Sequence, residues 1–317
     1  MRTALLLALA LAAAPALAQT FPTQNIRIVV PYPAGGSADL MARDIANGLN
    51  RIYSPPVLVE NRPGAGGHLG AEQVAKAAPD GHTLVLGTIS HHGAFKMYKT
   101  LRYNPGTDLQ SVILIAESFN VLMVRDGLPV KSVAELIAIA RAQPGKLTYA
   151  SAGSGSATHM AAELFKYMTK LDILGIPFKG GAPAQIAMLG GQVDVNFETA
   201  GTAWPAIKTG KVRALAVTLP ARSPSFPDLP AIAEAGVPGY AAVPWYTVSG
   251  PKGIPAEIVR KLNADINVVL KSPELSKRWD TLGVIPLGGT PEDAARRNEV
   301  EVQRWSAVIE AAKIQVE

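Results

Sequence analysis

Apolar positions along the chain fall into short runs that alternate with longer stripes of helical period. Ile28, Val29 and Val30 form a compact run that predicts a buried strand, and Pro33-Ala34-Gly35-Gly36 follows as a loop without bulky side chains. From Ser37 the period changes, with Met41, Ile45, Gly48 and Ile52 on one stripe, which predicts a helix. Residues 57–60 read as a second strand, 61–70 as a second glycine loop, and Ala71, Val74, Ala75 and Ala78 as a short helix. Pro79-Asp80-Gly81 is a turn, 83–87 a third strand, and 88–94 the loop at its carboxyl end.

The alternation continues downstream. Residues 112–124 read as one long strand, interrupted at 117–120, that carries the chain between two lobes. Ser132 and Glu135 make a capping box ahead of a helix faced by Val133, Leu136, Ile137 and Ala140. Residues 147–168 repeat the opening design: a strand, the loop Gly153-Ser154-Gly155-Ser156, then a helix with Ala161, Leu164, Phe165 and Met168 on one face. Strands are expected at 176–179, 193–197 and 214–217, and a helix at 183–189 stopped by Gly190-Gly191. The proline-rich stretch 220–244 cannot be one regular element. Residues 245–249 read as a second crossing strand, followed by helices at 255–270 and 291–312, the latter with Thr290 as N-cap and Pro291 at its first position. This pattern predicts an α/β protein of two lobes, 19–120 plus 245–317 forming one and 121–244 the other.

A glycine loop that opens a helix presents free backbone N–H groups and the positive end of the helix dipole, which suits a small anion. Two such cradles predict two lobes closing on one ligand. Among their side chains, Ser37, Ser154 and Ser156 read equally as helix caps or as ligand contacts. Asp39 is either a first-turn carboxylate favoured by the dipole or a group that holds the loop or contacts a ligand donor through water. His159 is either a plain first-turn residue or a donor and packing wall beside the second cradle.

Composition narrows the picture. Arg2, the apolar residues 5–14 and Ala16-Leu17-Ala18 predict a secretory signal peptide over residues 1–18, cleaved after Ala18, so that an exported, soluble chain starts at Gln19. The formal charge of +5 is spread without a basic block, and aromatics make up 6%, so nothing points to nucleic acid. The absence of cysteine excludes disulfides, thiolate catalysis and cysteine zinc sites. Catalytic motifs fail in turn: no G-x-S-x-G elbow and no phosphate loop are present, and Leu69 stands where a dinucleotide fingerprint requires its last glycine. His68, His82, His91, His92 and His159 lack metal-ligand spacing, so neither metal nor cofactor is expected. An exported hydrolase using Ser154 or Ser156 with His159 remains a second reading, weakened by the missing elbow.

Five blocks occur in order: PYPAGGSAD, VENRPGAGGHLGAEQVAKAAPDGHTLVLGT, YASAGSGSATHMAAELF, IPFKGGAPAQIAMLGGQVDV and RSPSFPDLPAIAEAGVPGY. Together they resemble the Bug-type solute receptors of tripartite tricarboxylate transporters, over essentially the whole chain after the leader. The resemblance implies a two-lobed periplasmic binding protein, a Venus flytrap of type II-like form, each lobe a mixed sheet flanked by helices. It implies a periplasmic, monomeric receptor that captures a small organic carboxylate for the membrane subunits of a transporter, or a sensor that docks on a signalling partner.

Carried onto this sequence, the ligand contacts it implies are Ala34, Gly35, Gly36, Ser37 and Asp39 in the first cradle. Thr88 and Ser90 match after the third strand, Ser154, Gly155, Ser156 and His159 in the second cradle, and Ala182 and Pro183 at the cleft border. Two places depart from the family pattern: Glu198 stands where aspartate is common and is expected to open a small polar loop, and His91-His92 replaces small polar residues. Glu198 and His91 join the candidate contacts, with a dicarboxylate expected as ligand, or an aromatic acid whose ring lies near His91 and Phe95.

Overall fold

The computed structural model describes residues 21–224 and 226–315; the expected leader and its cleavage point lie outside the described residues. The first sheet contains β1 (Ile26–Val30), β2 (Val57–Asn61), β3 (Thr83–Gly87), β4 (Leu109–Glu117), β10 (Trp245–Pro251) and β11 (Ile285–Pro286), in the order β11-β4-β10-β3-β1-β2. β1 pairs in parallel with β2 and β3, whereas β10 runs antiparallel to both β3 and β4. Successive strand residues point to opposite faces. Accordingly, Ile26, Ile28 and Val30 pack with helices α1 (Ser37–Leu49) and α8 (Ala256–Leu270), while Val29 packs on the other face with Ala71 and Val74 of α2 (His68–Ala75). α1 and α8 approach closely because a Cβ at Gly48 would overlap Val269. α1 ends at Leu49, so Ile52 does not continue its stripe and lies 42% exposed.

The second sheet is ordered β7-β6-β8-β5-β9, from β5 (Asn120–Arg125), β6 (Thr148–Ser151), β7 (Leu174–Pro177), β8 (Val195–Thr199) and β9 (Val212–Val217). It is mixed: β6 is parallel to β7 and β8, and β5 is antiparallel to β8 and β9. The stretch expected as one interrupted strand over 112–124 is two strands in different sheets, the break falling within the expected interruption at 117–120. Polar groups force the break. Ser118 is fully buried, its N–H donates to the Pro244 carbonyl at 3.0 Å and its hydroxyl to the Gly283 carbonyl at 3.1 Å. Beyond it the Asn120 N–H donates to Thr218 Oγ1 at 2.8 Å. The outgoing and returning crossings are therefore tied together.

The remaining helices are α3 (Ile89–His92), α4 (Val133–Ala142), α5 (Ala157–Thr169), α6 (Gly181–Leu189), α7 (Ala200–Lys208), α9 (Pro273–Thr281) and α10 (Pro291–Ala311). α3 replaces the expected loop over 88–94, and α7 replaces the small polar loop expected after Glu198. At α4 the Ser132 hydroxyl accepts from the Glu135 N–H as a capping box requires, but the Glu135 carboxylate reaches the N–H of Lys131 at 2.7 Å. α10 is capped by Thr290 and packs along β4. Farther along it, Trp305 and Ile309 enter the cluster that also holds Leu122, Phe165 and Phe197 of the second lobe. The last helix is shared between the lobes.

Candidate functional site

A narrow cavity of about 60 Å³ lies between the sheets, at the carboxyl ends of β1 and β3 in one lobe and β6 and β8 in the other. Five helices begin at its wall. α1 contributes Gly36, Ser37 and Ala38, α3 Thr88 and Ile89, and α5 Ser156, Ala157 and Thr158. α6 contributes Gly181, and α7 its N-cap Thr199 together with Glu198. Tyr32, Pro33, Ala152, Pro244, Trp245 and Tyr246 complete the lining. No lysine or arginine is among these residues, and Glu198 is their one formally charged side chain.

The first N–H groups of a helix lack intrahelical partners. At α1, α6 and α7 no side chain caps them. At α5 Ser156 Oγ takes the His159 N–H at 3.3 Å. Ser37 is 9% exposed and lines the cavity, and its buried hydroxyl has no hydrogen-bond partner among the described residues. The site therefore offers N–H and O–H donors to an anion in a narrow, largely apolar space, where such donors are electrostatically strong.

Of the expected contacts, Gly36, Ser37, Thr88, Ser156 and Glu198 are brought together on this wall. The others stand around it. Asp39 lies behind the first cradle, where it accepts from the Gly35 N–H at 3.0 Å, Arg43 Nε at 3.0 Å and Asn61 Nδ2 at 2.9 Å. Burial alone would raise its carboxyl pKa, but these donors hold it below the usual value. Asp39 is the group that fixes the loop. Ala34 and Gly35 form the exposed outer turn of that loop, with Gly35 at φ +87°.

Ser90 donates to the Gly66 carbonyl at 2.8 Å. The Ser154 carbonyl accepts from Tyr98 Oη at 2.6 Å, a direct bond between the lobes. Gly155 adjoins it, since a Cβ there would lie 3.0 Å from Tyr98 Oη and 3.2 Å from Ser90 Oγ. His159 Nδ1 accepts the Gly155 N–H at 3.2 Å; burial pushes its pKa down, with Glu163 opposing. Among the described residues neither Ser154 nor Ser156 has a hydroxyl bonded to a histidine ring nitrogen, so the hydrolase arrangement is not assembled. Ala182 and Pro183 sit half-buried in the first turn of α6.

His91 is fully buried behind the wall, its Nδ1 3.3 Å from the Thr88 N–H and its ring 5.3 Å from that of His68. Phe95 borders, together with His91 and His92, a separate open groove of about 740 Å³ between β4 and α10. The expected ring position beside His91 and Phe95 is thus not part of the cavity. Among the walls that sequence reasoning missed are Tyr32, with its hydroxyl 3.0 Å from Thr88 Oγ1, and Trp245 and Tyr246 at the start of β10. Tyr32 stood within the PYP block as a usable signal; the β10 residues had none.

Two mixed α/β sheets joined by a pair of crossings, with helix starts facing a cavity between them, define the periplasmic binding protein fold. Residues 41–314 match the tripartite tricarboxylate transporter family receptor, and the chain belongs to that family. It is 37% identical to Protein BugT of Bordetella pertussis over 299 residues, covering 94% of this chain and 92% of BugT. Among solved structures it resembles R. palustris Rpa4515 with adipate at 40% identity and TM-score 0.90, covering 93% of this chain and 99% of that one. MatC from Rhodopseudomonas palustris with bound malate is 35% identical with TM-score 0.87, covering 91% of this chain and 100% of that one.

Proposed function

We propose that the protein is an exported, periplasmic receptor that captures a small organic carboxylate between its lobes and delivers it to the membrane subunits of a tripartite transporter. It acts as a monomer, with lobe boundaries near residues 120 and 245. The observation that carries this reading is the convergence of helix starts from both lobes on a cavity without a cation, with the Ser37 hydroxyl left unpartnered. A hydrogen bond to a charged group contributes roughly 1.5–3 kcal/mol. A micromolar site requires about 8 kcal/mol net, so several such donors from both lobes are needed and one cradle is not enough.

A dicarboxylate is the first ligand class, because each lobe supplies a cradle, and the relatives solved with adipate and with malate support it. An aromatic acid is the second, its ring placed against Tyr32 and Tyr246, which line the cavity. Calorimetric titration of a carboxylate panel against the wild type and Gly36→Val tests the site. A Cβ at Gly36 meets nothing within 4 Å, so the variant folds while its side chain fills the cavity. Affinity is expected to fall at least about ten-fold, about 1.4 kcal/mol; undiminished binding would remove the first cradle from the site.

A further inference from the structure

Glu198 is the penultimate residue of β8, 1% exposed, and lines a cavity whose other polar groups are mostly donors. Its immediate surroundings belong to the second lobe. Oε1 accepts from Thr202 Oγ1 at 2.6 Å and from the Thr199 N–H at 3.2 Å, and Oε2 accepts from Asn196 Nδ2 at 3.0 Å. Thr199 is the N-cap of α7. A Cβ at Gly181, in the first turn of α6, would lie 3.3 Å from Glu198 Oε1. The Thr199 N–H just ahead of α7 is therefore taken by the protein's own carboxyl group, which also adjoins the first turn of α6. The uncapped start of α1, with Ser37, is left for a ligand's.

An ionised carboxylate offers about four lone-pair sites. Burial pushes the Glu198 pKa up and three donors oppose that shift; in the ionised form they leave one acceptor site for the ligand. We propose that Glu198 is a specificity-determining residue that selects a carboxylate ligand bearing a hydroxyl or ammonium donor in addition to its acid group. The proposal rests on the carboxylate reading above and adds which carboxylate. A ligand with only methylenes at that position leaves a buried acceptor unmatched, and sites built to pair with a substrate donor discriminate strongly against analogues that lack it. A ligand acid group placed there would meet a like charge.

The test is a titration series of plain α,ω-diacids of three to six carbons beside their 2-hydroxy and 2-amino counterparts, against the wild type, Glu198→Gln and Glu198→Asp. Thermal melts establish that each variant is folded. At the chain length bound best, the wild type is expected to prefer a donor-bearing acid over its plain counterpart by ten-fold or more. Glu198→Gln, which keeps an acceptor oxygen but adds an amide donor, is expected to shrink that ratio below three-fold, chiefly by weakening the donor-bearing acid. Glu198→Asp is expected to keep the direction of the preference and reduce its size.

Equal affinity of the wild type for both members of a pair overturns the proposal, as does a ratio that Glu198→Gln leaves unchanged. A wild-type preference for the plain diacid also overturns it, because it would show a protonated Glu198 acting as donor. Both kinds of acid still bind in those cases, and the receptor reading stands. Failure of every acid to bind the wild type would overturn the carboxylate reading and this inference with it.

Discussion

Asp39 accepts hydrogen bonds from Gly35, Arg43 and Asn61, and through Gly35 it sets the shape of a loop whose next residues line the cavity. The Arg43 side chain is 47% exposed, so the ion pair is partly screened, and the part-buried backbone and amide contacts matter more. Asp39→Asn is expected to cost about 1–3 kcal/mol of stability and to weaken carboxylate binding by loosening the Gly35 turn. Urea unfolding and calorimetry read the two effects. Because the folded pKa lies below the ordinary value of about 3.9, the carboxylate's stabilisation is complete above that pH and lost as pH falls through the folded value. The sequence exposed this cradle because Gly35, Gly36 and Ser37 form a local signal. It did not expose the setting of Glu198, whose donors Asn196 and Thr202 lie on either side of a strand-to-helix junction read as a loop.

At the scale of elements, strands were legible from short apolar runs and helices from their stripes, while junctions were not. α7 was hidden by Pro205, which sits inside the helix, and α9 by its polar surface, although Ser272-Pro273 is a recognisable start. The short 3₁₀ turn and loop after α3 bring Tyr98 against the second cradle, where its hydroxyl donates to the Ser154 carbonyl. Tyr98→Phe removes that bond between lobes and leaves the ring packed on His68. The expected result is a several-fold higher Kd, arising mostly in the dissociation rate, with little change in melting temperature; stopped-flow fluorescence separates the rates. An unchanged dissociation rate would show that this contact does not hold the lobes together around ligand.

For the whole molecule, His68, His91 and His92 are packed together without a charged partner. Burial pushes their pKa values down to about 2, about 4 and about 3 respectively. In the unfolded chain each titrates near 6.5. Their contribution is therefore intact above that pH and declines as the solution is acidified below it, because unfolding then takes up protons that the folded state refuses. Three such groups give a slope of about 4 kcal/mol per pH unit around pH 5. Urea midpoints measured at pH 7 and pH 5 should drop accordingly, and equal midpoints would contradict the buried neutral cluster. The two-lobe plan was legible from the alternation of strands and helices and the repeated cradle design. The order of the first sheet was not, because periodicity does not say which strands become neighbours.

That sheet order bears on how the chain assembles as it is made. β10 lies between β3 and β4 and pairs with both, although it follows them by well over a hundred residues. Until residues 245–251 arrive, the early strands form two pieces with no common neighbour. Every strand of the second sheet lies between Asn120 and Val217, so that sheet can be completed from a continuous stretch of chain, with Trp305 and Ile309 added to its core afterwards. The inserted half is thus positioned to fold first, leaving the half that carries the first cradle open until the returning strand closes it.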